Sequence, residues 1–433
     1  VKCVNPRCLM RNCRTRAIAG MDKMAQGPIR VFLRTWGCTL NHSDSDIMSA
    51  LLIKEGFSIA QAPSEADVLI LNTCTVKGAT ENKILAQLRK LSGGNAKIVV
   101  AGCLTVNRDR VRKSAPEAVL LGPGAIAKIG DAVRLAMRRQ KADFSGFEKK
   151  YELPRIAGGL IARIPIQEGC ASKCAFCQTR LARPFLMSYP EKEAVRLVEE
   201  AVKGGAREIQ ITGMDAGAYG IEIGSNLAKL MCEVLKINGN FKIRLGMANP
   251  NHVSRMKNEL SEIFNHQKMY RFIHMPVQTG SEKVCQEMNR DHTVKEFTNC
   301  VAFLRKRVPQ IMVATDIISA YPTETDEDHE LTMEMLESIR PDLVNLSHFT
   351  PRPGTEASRL PQLDSKTAKR RTLEVHTITK KIMEENARKF IGLEMDAIII
   401  ENAKKGQMKG RVLNYRQLIV NGGREMLGKE IRV

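Results

Sequence analysis

The sequence predicts an α/β chain in three parts: an N-terminal open parallel sheet, a larger, partial (β/α)6 barrel, and a small C-terminal antiparallel β barrel. Three observations predict it. From residue 29, apolar strand-like runs alternate with amphipathic helical stretches, the pattern of a parallel sheet covered by helices. The alternation pauses over the polar "KADFSGFEKKYELPRIAGG" and then resumes with a longer repeat. The last segment changes character again, to short β-prone runs between Gly and Asn turns. At 433 residues the chain also exceeds what one hydrophobic core usually organises.

Taken in order, residues 1–28 are basic, carry Cys3, Cys8 and Cys13 and show no periodicity, and read as a disordered tail. Residues 29–140 contain "IRVFLRTWGC", "ADVLILNTC" and "AKIVVAGC", each followed by a helical stretch, so that three strands end in Cys38, Cys74 and Cys103. Carboxyl ends of parallel strands lie along one edge of an open sheet, where ligands bind, so these three are expected to meet. Residues 141–157 read as a linker. Residues 158–375 hold six strand runs, "LIARIPIQ", "EIQITG", "KIRLGM", "RFIHMPVQ", "IMVATDII" and "LVNLSHF", separated by helices. Barrel chemistry sits at the carboxyl ends of strands, which points to Cys170, Gly213, Asp215, Asn249, Gln278, Asp316 and Arg352, although each singly also fits a turn or a satisfied polar group. A connecting helix over 376–391 leads to a basic β segment, 392–433, suited to RNA.

Lys plus Arg number 67 against 47 Asp plus Glu, a formal charge of +20, which points to a polyanionic partner with nucleic acid first and an anionic membrane surface second. No apolar run reaches the ~20 residues of a membrane span and no signal-like stretch is present, so the expectation is a cytoplasmic protein without a membrane partner. In that reducing setting the twelve cysteines are expected to be ligands, catalysts or buried thiols rather than disulfides.

"QEGCASKCAFCQTR" gives C-x3-C-x2-C on the loop after the first barrel strand. Structural zinc takes four ligands, and no histidine lies between His42 and His252 to complete a local set. A four-iron cluster takes one thiolate per iron, so three thiolates leave one iron open for a chelating ligand. The spacing therefore fits a 4Fe-4S cluster with a reserved coordination position.

On these residues the sequence resembles the radical S-adenosylmethionine enzymes. The resemblance implies that Cys170, Cys174 and Cys177 hold the cluster, that S-adenosylmethionine binds its open iron, and that Phe176 lies against the adenine. "WGCTLNHSDSD", "LNTCTVKGATEN" and "VVAGCL" resemble the N-terminal domain of the methylthiotransferases, which implies a second 4Fe-4S cluster on Cys38, Cys74 and Cys103. "ITGMDAGAYGIEIGSNL", "RLGMANPNHV", "FIHMPVQTGSEKVCQEMNRDHTV" and "FTPRPGTEAS" are similar to the archaeal and eukaryotic branch that acts on tRNA threonylcarbamoyladenosine beside the anticodon. The C-terminal segment then stands in the place of the RNA-binding TRAM domain.

What the resemblance implies is methylthio transfer to adenine carbon 2, using two equivalents of S-adenosylmethionine, the tRNA anticodon stem-loop, an electron donor such as ferredoxin or flavodoxin, and a sulfur source. Gly213, Asp215, Arg244, Asn249 and Gln278 match positions lining the cofactor and substrate pocket, and Arg183 is a candidate for a cofactor carboxylate or an RNA phosphate. The chain departs from the pattern at Pro184, where glycine is usual, and in "AYPTET", where Ala320 and Thr323 replace glycines that permit tight turns. Cys232, Cys285 and Cys300 read as helix or core residues. Two alternatives remain beside this reading: a methylthiotransferase for isopentenyladenosine or a ribosomal-protein aspartate, and a non-catalytic iron-sulfur RNA-binding protein.

Overall fold

Val68–Thr73 and Lys97–Gly102 are apolar runs, and a strand of that kind is stable only where both faces of its sheet are covered. A computed structural model describes residues 27–433 apart from 95 and 157, and places these runs at the centre of a six-stranded parallel sheet. Its strands are β1 (Arg30–Thr35), β2 (Ser58–Ile59), β3 (Val68–Thr73), β4 (Lys97–Gly102), β5 (Val119–Leu121) and β6 (Asp143–Phe144), in the order β2-β1-β3-β4-β5-β6. Successive side chains serve opposite cores: Ile70 and Val99 pack with Ile47 of the helix Thr39–Lys54, while Leu71 and Val100 pack with Ile84 and Leu88 of the helix Gly78–Ser92.

The three expected strands are present. The other three are two or three residues long, too short to leave a period in the sequence. One of them, β6, falls within the stretch read as a linker, pairing in parallel with β5, and Lys150 of the same stretch is 1% exposed. Residues 141–157 are thus packed structure rather than a free connection. Cys3, Cys8 and Cys13 lie outside the described residues.

All six barrel strands appear: β7 (Ile161–Pro165), then, beyond a short hairpin of β8 (Gln167–Glu168) and β9 (Met187–Ser188), β10 (Glu208–Thr212), β11 (Lys242–Leu245), β12 (Phe272–His274), β13 (Met312–Ser319) and β14 (Leu343–His348). They form two parallel triplets, β7-β10-β11 and β12-β13-β14, joined by bridges of Met247 to His274 and Ile243 to Met269. Among the described residues no ladder joins β7 to β14, so the barrel is open there, and the N-terminal helix Thr39–Lys54 packs against β7. The hairpin clamps both ends of the loop that carries Cys170, Cys174 and Cys177.

A single helix, Ser365–Arg388, follows, capped by Asp364, whose carboxylate accepts from the amides of Lys366 and Thr367. It runs through the boundary expected between barrel and connecting helix. The C-terminal strands β15 (Asp396–Asn402), β16 (Gln407–Val412), β17 (Gln417–Asn421) and β18 (Glu430–Arg432) make an antiparallel sheet in the order β17-β16-β15-β18. No ladder joins β17 to β18 among the described residues, so the expected small barrel is seen as a four-stranded sheet. Tyr415, in the turn after β16, fixes this sheet to the barrel with its ring 4.9 Å from those of Tyr270 and Phe272.

Candidate functional site: two cysteine trios at facing strand ends

Cys38, Cys74 and Cys103 stand one after another at the carboxyl ends of the adjacent strands β1, β3 and β4. The chain must turn tightly there. Gly37 has φ +113°, and a Cβ on it would meet Cys74 Cβ at 2.8 Å, so a side chain at 37 would push the two cysteines apart. Asn41, 1% exposed, ties the edge together by donating to the carbonyls of Trp36 at 3.0 Å and Thr73 at 2.8 Å. Burial pushes the Cys74 thiol up to about 12, with the neighbouring Cys103 and Cys38 adding to the rise, and burial raises Cys103 as well.

Cys170, Cys174 and Cys177 lie on the loop between β8 and β9. Gly169, at φ +69°, passes so close to the carbonyl of Phe185 that no side chain fits. Burial pushes Cys170 to about 12, with Asp215, Cys174 and Cys177 contributing, and raises Cys177. Arg290 donates from Nη1 to Cys174 Sγ at 3.1 Å and from Nη2 to Asn249 Oδ1 at 2.6 Å. Asn249 Nδ2 in turn donates to Asp215 Oδ2 at 2.7 Å, and Asp215 also accepts from the amides of Asn249 and Gly217. Burial holds the Asp215 carboxyl above its usual range in spite of His252 nearby.

The structure thus brings Asp215 and Asn249 together beside the second trio. Gly213 allows the close approach of Gln167, which donates to the carbonyl of Asp215 at 2.7 Å. Gln278 is placed by its backbone, in the left-handed region at φ +78° and bonded to the carbonyl of Asp316. Phe176 packs on the apolar cluster of Val284, Met288, Tyr321 and Phe349. Arg244 stands apart from this group: its guanidinium lies 5.3 Å from the ring centroid of Phe272 and 6.0 Å from that of Tyr415, where the C-terminal sheet docks. Arg183 is 4% exposed and paired with Asp44 and Glu168, so it faces protein rather than an RNA phosphate or a free cofactor carboxylate.

Residues next to the cysteines join the trios. Thr75 Oγ1, one residue past Cys74, is 2.5 Å from Gln178 Oε1, one residue past Cys177. Gln178 also exchanges hydrogen bonds with Asn107 and donates to the carbonyl of Pro353. Arg352, beyond β14, reaches the carbonyl of Thr75 and Glu81 Oε2, the latter at 2.5 Å. Arg352 stands among the strand-end candidates, and Thr75, Glu81 and Gln178 lie inside the cysteine motifs, but only tertiary placement shows that they and Asn107 join the two trios.

No three His, Cys, Asp or Glu side chains among the described residues converge on a single metal ion. That is consistent with a cluster, whose thiolates bind separate irons and sit farther apart than ligands of one ion. The cysteines of each trio are free of disulfides, and burial raises the pKa of Cys74, Cys103, Cys170 and Cys177, so binding a metal there would release protons. The donor sets fit two iron-sulfur clusters, each with three protein ligands.

The comparisons agree with this architecture. Residues 30–122 match the family described as "Uncharacterized protein family UPF0004", and residues 164–336 match the "Radical SAM superfamily". A protein of Pyrococcus horikoshii named "Probable threonylcarbamoyladenosine tRNA methylthiotransferase" is 38% identical over 94% of this chain and 96% of its own length. A Danio rerio protein named "Threonylcarbamoyladenosine tRNA methylthiotransferase" is 33% identical, covering 100% of this chain and 81% of its own. Among solved structures, the radical S-adenosylmethionine methyltransferase TsrM of Kitasatospora setae superposes with TM-score 0.55 at 13% identity, covering 76% of this chain and 77% of that one, a likeness of fold alone. With a radical S-adenosylmethionine domain and relatives of this identity over nearly the whole chain, the chain is a radical S-adenosylmethionine methylthiotransferase and belongs to the threonylcarbamoyladenosine tRNA methylthiotransferase family.

Proposed function

We propose that this enzyme converts tRNA threonylcarbamoyladenosine, beside the anticodon, to its 2-methylthio derivative. The observation that carries the proposal is the meeting of two cysteine trios through Thr75 and Gln178, which supports a radical-forming site and a sulfur-holding site in contact. When bound and reduced by an external donor, the clusters and two equivalents of S-adenosylmethionine would supply radical-forming chemistry at one trio and sulfur methylation at the other.

The chain's own part is to hold and orient. Cys170, Cys174 and Cys177 are proposed as ligands of the first cluster, and Cys38, Cys74 and Cys103 as ligands of the second. Arg290 donates to one of the former sulfurs and fixes Asn249, which fixes Asp215. Asp215 and Asn249 are buried, and their oxygens would give a cofactor ammonium or hydroxyl acceptors already held in place. Phe176 is proposed to meet the adenine, with Gly213 and Gln278 shaping the pocket wall. The Lys- and Arg-rich chain is suited to the anticodon stem-loop, and its binding is expected to weaken as salt rises.

An external reductant such as ferredoxin or flavodoxin and a sulfur source complete the reaction, which we place in the cytoplasm. No helix among the described residues is long and apolar enough to cross a membrane. The test is mass spectrometry of nucleosides from tRNA carrying threonylcarbamoyladenosine, incubated anaerobically with the reconstituted enzyme, S-adenosylmethionine, a reductant and sulfide. A new methylthio nucleoside at that position is expected. Deoxyadenosine without any modified nucleoside would refute the substrate while leaving the radical chemistry in place.

A further inference from the structure

We infer that Arg183 is a positioning residue that tunes the N-terminal cluster, holding a hydrogen bond on Cys103 that favours the cluster's reduced state. The inference rests on the proposal that Cys38, Cys74 and Cys103 bind a cluster. Arg183 belongs to the barrel, on the loop that follows Cys177, yet its Nε lies 3.5 Å from Cys103 Sγ of the other unit. The rest of its fork is committed: Nη1 to Glu168 Oε2 at 2.5 Å, Nη2 to Asp44 and, at 3.3 Å, to Asn41 Oδ1. The planar guanidinium therefore has one orientation, with the Nε–H aimed at the sulfur.

Lys150 supplies an internal comparison. It binds the same two carboxylates, Asp44 at 2.7 Å and Glu168 at 3.1 Å, so the four side chains make a buried group of zero net charge. Lys150 is a point charge whose hydrogen bond goes to Asp44, whereas Arg183 spans from the carboxylates to the thiol. If the group served docking alone, either cation would serve equally. Reduction adds one negative charge to a thiolate-ligated cluster, and a donor on a ligand sulfur stabilises that charge, which is how hydrogen bonds to sulfur set cluster potentials. Glu168 lies two residues before Cys170, so the same guanidinium also holds the radical-site loop in register with the second trio.

The test uses the full chain with Cys170, Cys174 and Cys177 replaced by Ala, reconstituted with iron and sulfide so that only the N-terminal trio can bind a cluster. Two double variants are compared in that background, Arg183→Met with Asp44→Asn, and Lys150→Met with Asp44→Asn. Each removes one cation and one anion and leaves a neutral buried pair, so neither strands a charge. The readout is the one-electron reduction of the cluster by a chemical titrant, followed by electron paramagnetic resonance. We expect the ratio of reduced to oxidised cluster at a fixed potential to fall about tenfold in the arginine variant, about 59 mV, and to change little in the lysine variant. Equal potentials in both variants, or equal shifts in both, would overturn the inference. Failure of the parent to bind iron would instead refute the second cluster itself.

Discussion

Replacing Lys150 by Met isolates the electrostatics of the contact between the two units. Its ammonium, 1% exposed, sits 2.7 Å from Asp44 and 3.1 Å from Glu168, and Arg183 is the other cation on that pair. Burial alone would raise the Asp44 carboxyl, but Arg183 and Lys150 together hold it below its usual range. Without Lys150 two buried carboxylates share one guanidinium, an uncompensated charge that costs ~3–5 kcal/mol. The loss should appear as a lower urea midpoint, because stability falls linearly with denaturant. The assay is urea unfolding of the iron-free chain under reducing conditions, followed by circular dichroism. Adding Asp44→Asn should recover most of the loss, because the two residues act as one unit in a double-mutant cycle. A loss under ~1 kcal/mol in the single variant, or additive losses in the double, would refute the reasoning by showing that water already reaches the group.

Other outcomes follow from the same geometry. The reconstituted enzyme should bind about eight irons, from two four-iron clusters; Cys170→Ala should halve this and abolish 5′-deoxyadenosine formation, whereas Cys74→Ala should halve it and leave uncoupled cleavage, as iron assay and chromatography will show. Gly37→Ala, which places a methyl 2.8 Å from Cys74 Cβ at φ +113°, should lower iron at the N-terminal site while sparing the other. Cys232→Ser, Cys285→Ser and Cys300→Ser should leave iron content unchanged, since these three lie on helices, the last two buried. Burial opposes ionisation of Asp328, but hydrogen bonds from Ser281, Thr325 and Lys283 win and set its pKa to about 2. Its depressed value makes a stabilising contribution that is present above pH ~4 and lost as pH falls through about 2. Asp328→Asn should remove that part of the acid dependence in a pH series of unfolding curves.

The sequence made some of this legible and hid the rest for identifiable reasons. The strands β3 and β4 could be found because a doubly covered strand leaves a continuous apolar run, and the six barrel strands because long helices separate them. β2, β5 and β6 were hidden because two or three residues carry no period, and β6 also lay in polar sequence. That Cys38, Cys74 and Cys103 stand together was readable because strand ends in a parallel sheet share one edge. Asp215 and Asn249 did converge near Cys170, whereas Arg244, two residues before Gly246, points its charge toward Phe272 and Tyr415. Arg244 alternates with the buried Ile243 and Leu245 along β11, and what its charge meets on that face is decided by the docking of Tyr415, which no local pattern encodes. Arg290 was visible only as part of "MNRDHTV", and Lys150 only as one charge among many. The loss of glycine at 320 has a visible consequence: Ala320 occupies the left-handed region at φ +59° and is 4% exposed, so the turn keeps the geometry a glycine would ease.

The contacts between the units bear on how the two chemistries are coupled. One connection runs from Cys74 through Thr75 and Gln178 to Cys177, the other from Cys103 through Arg183 and Glu168 to the strand before Cys170. A single contact would act as a pivot. Two, anchored on different cysteines of each trio, fix both separation and orientation. Arg352 reinforces the first by bonding Thr75 and Glu81 together, and Lys150 reinforces the second by bonding Asp44 and Glu168 together. Each reinforcing cation is buried against carboxylates, so its desolvation cost is met only while the units stay docked. Separation of the units would expose these groups singly, and the docked state is favoured by all of them at once. A substrate carbon that must meet a radical on one side and a sulfur on the other gains most from such a frame, because a misplacement of even an ångström forfeits the benefit of proximity.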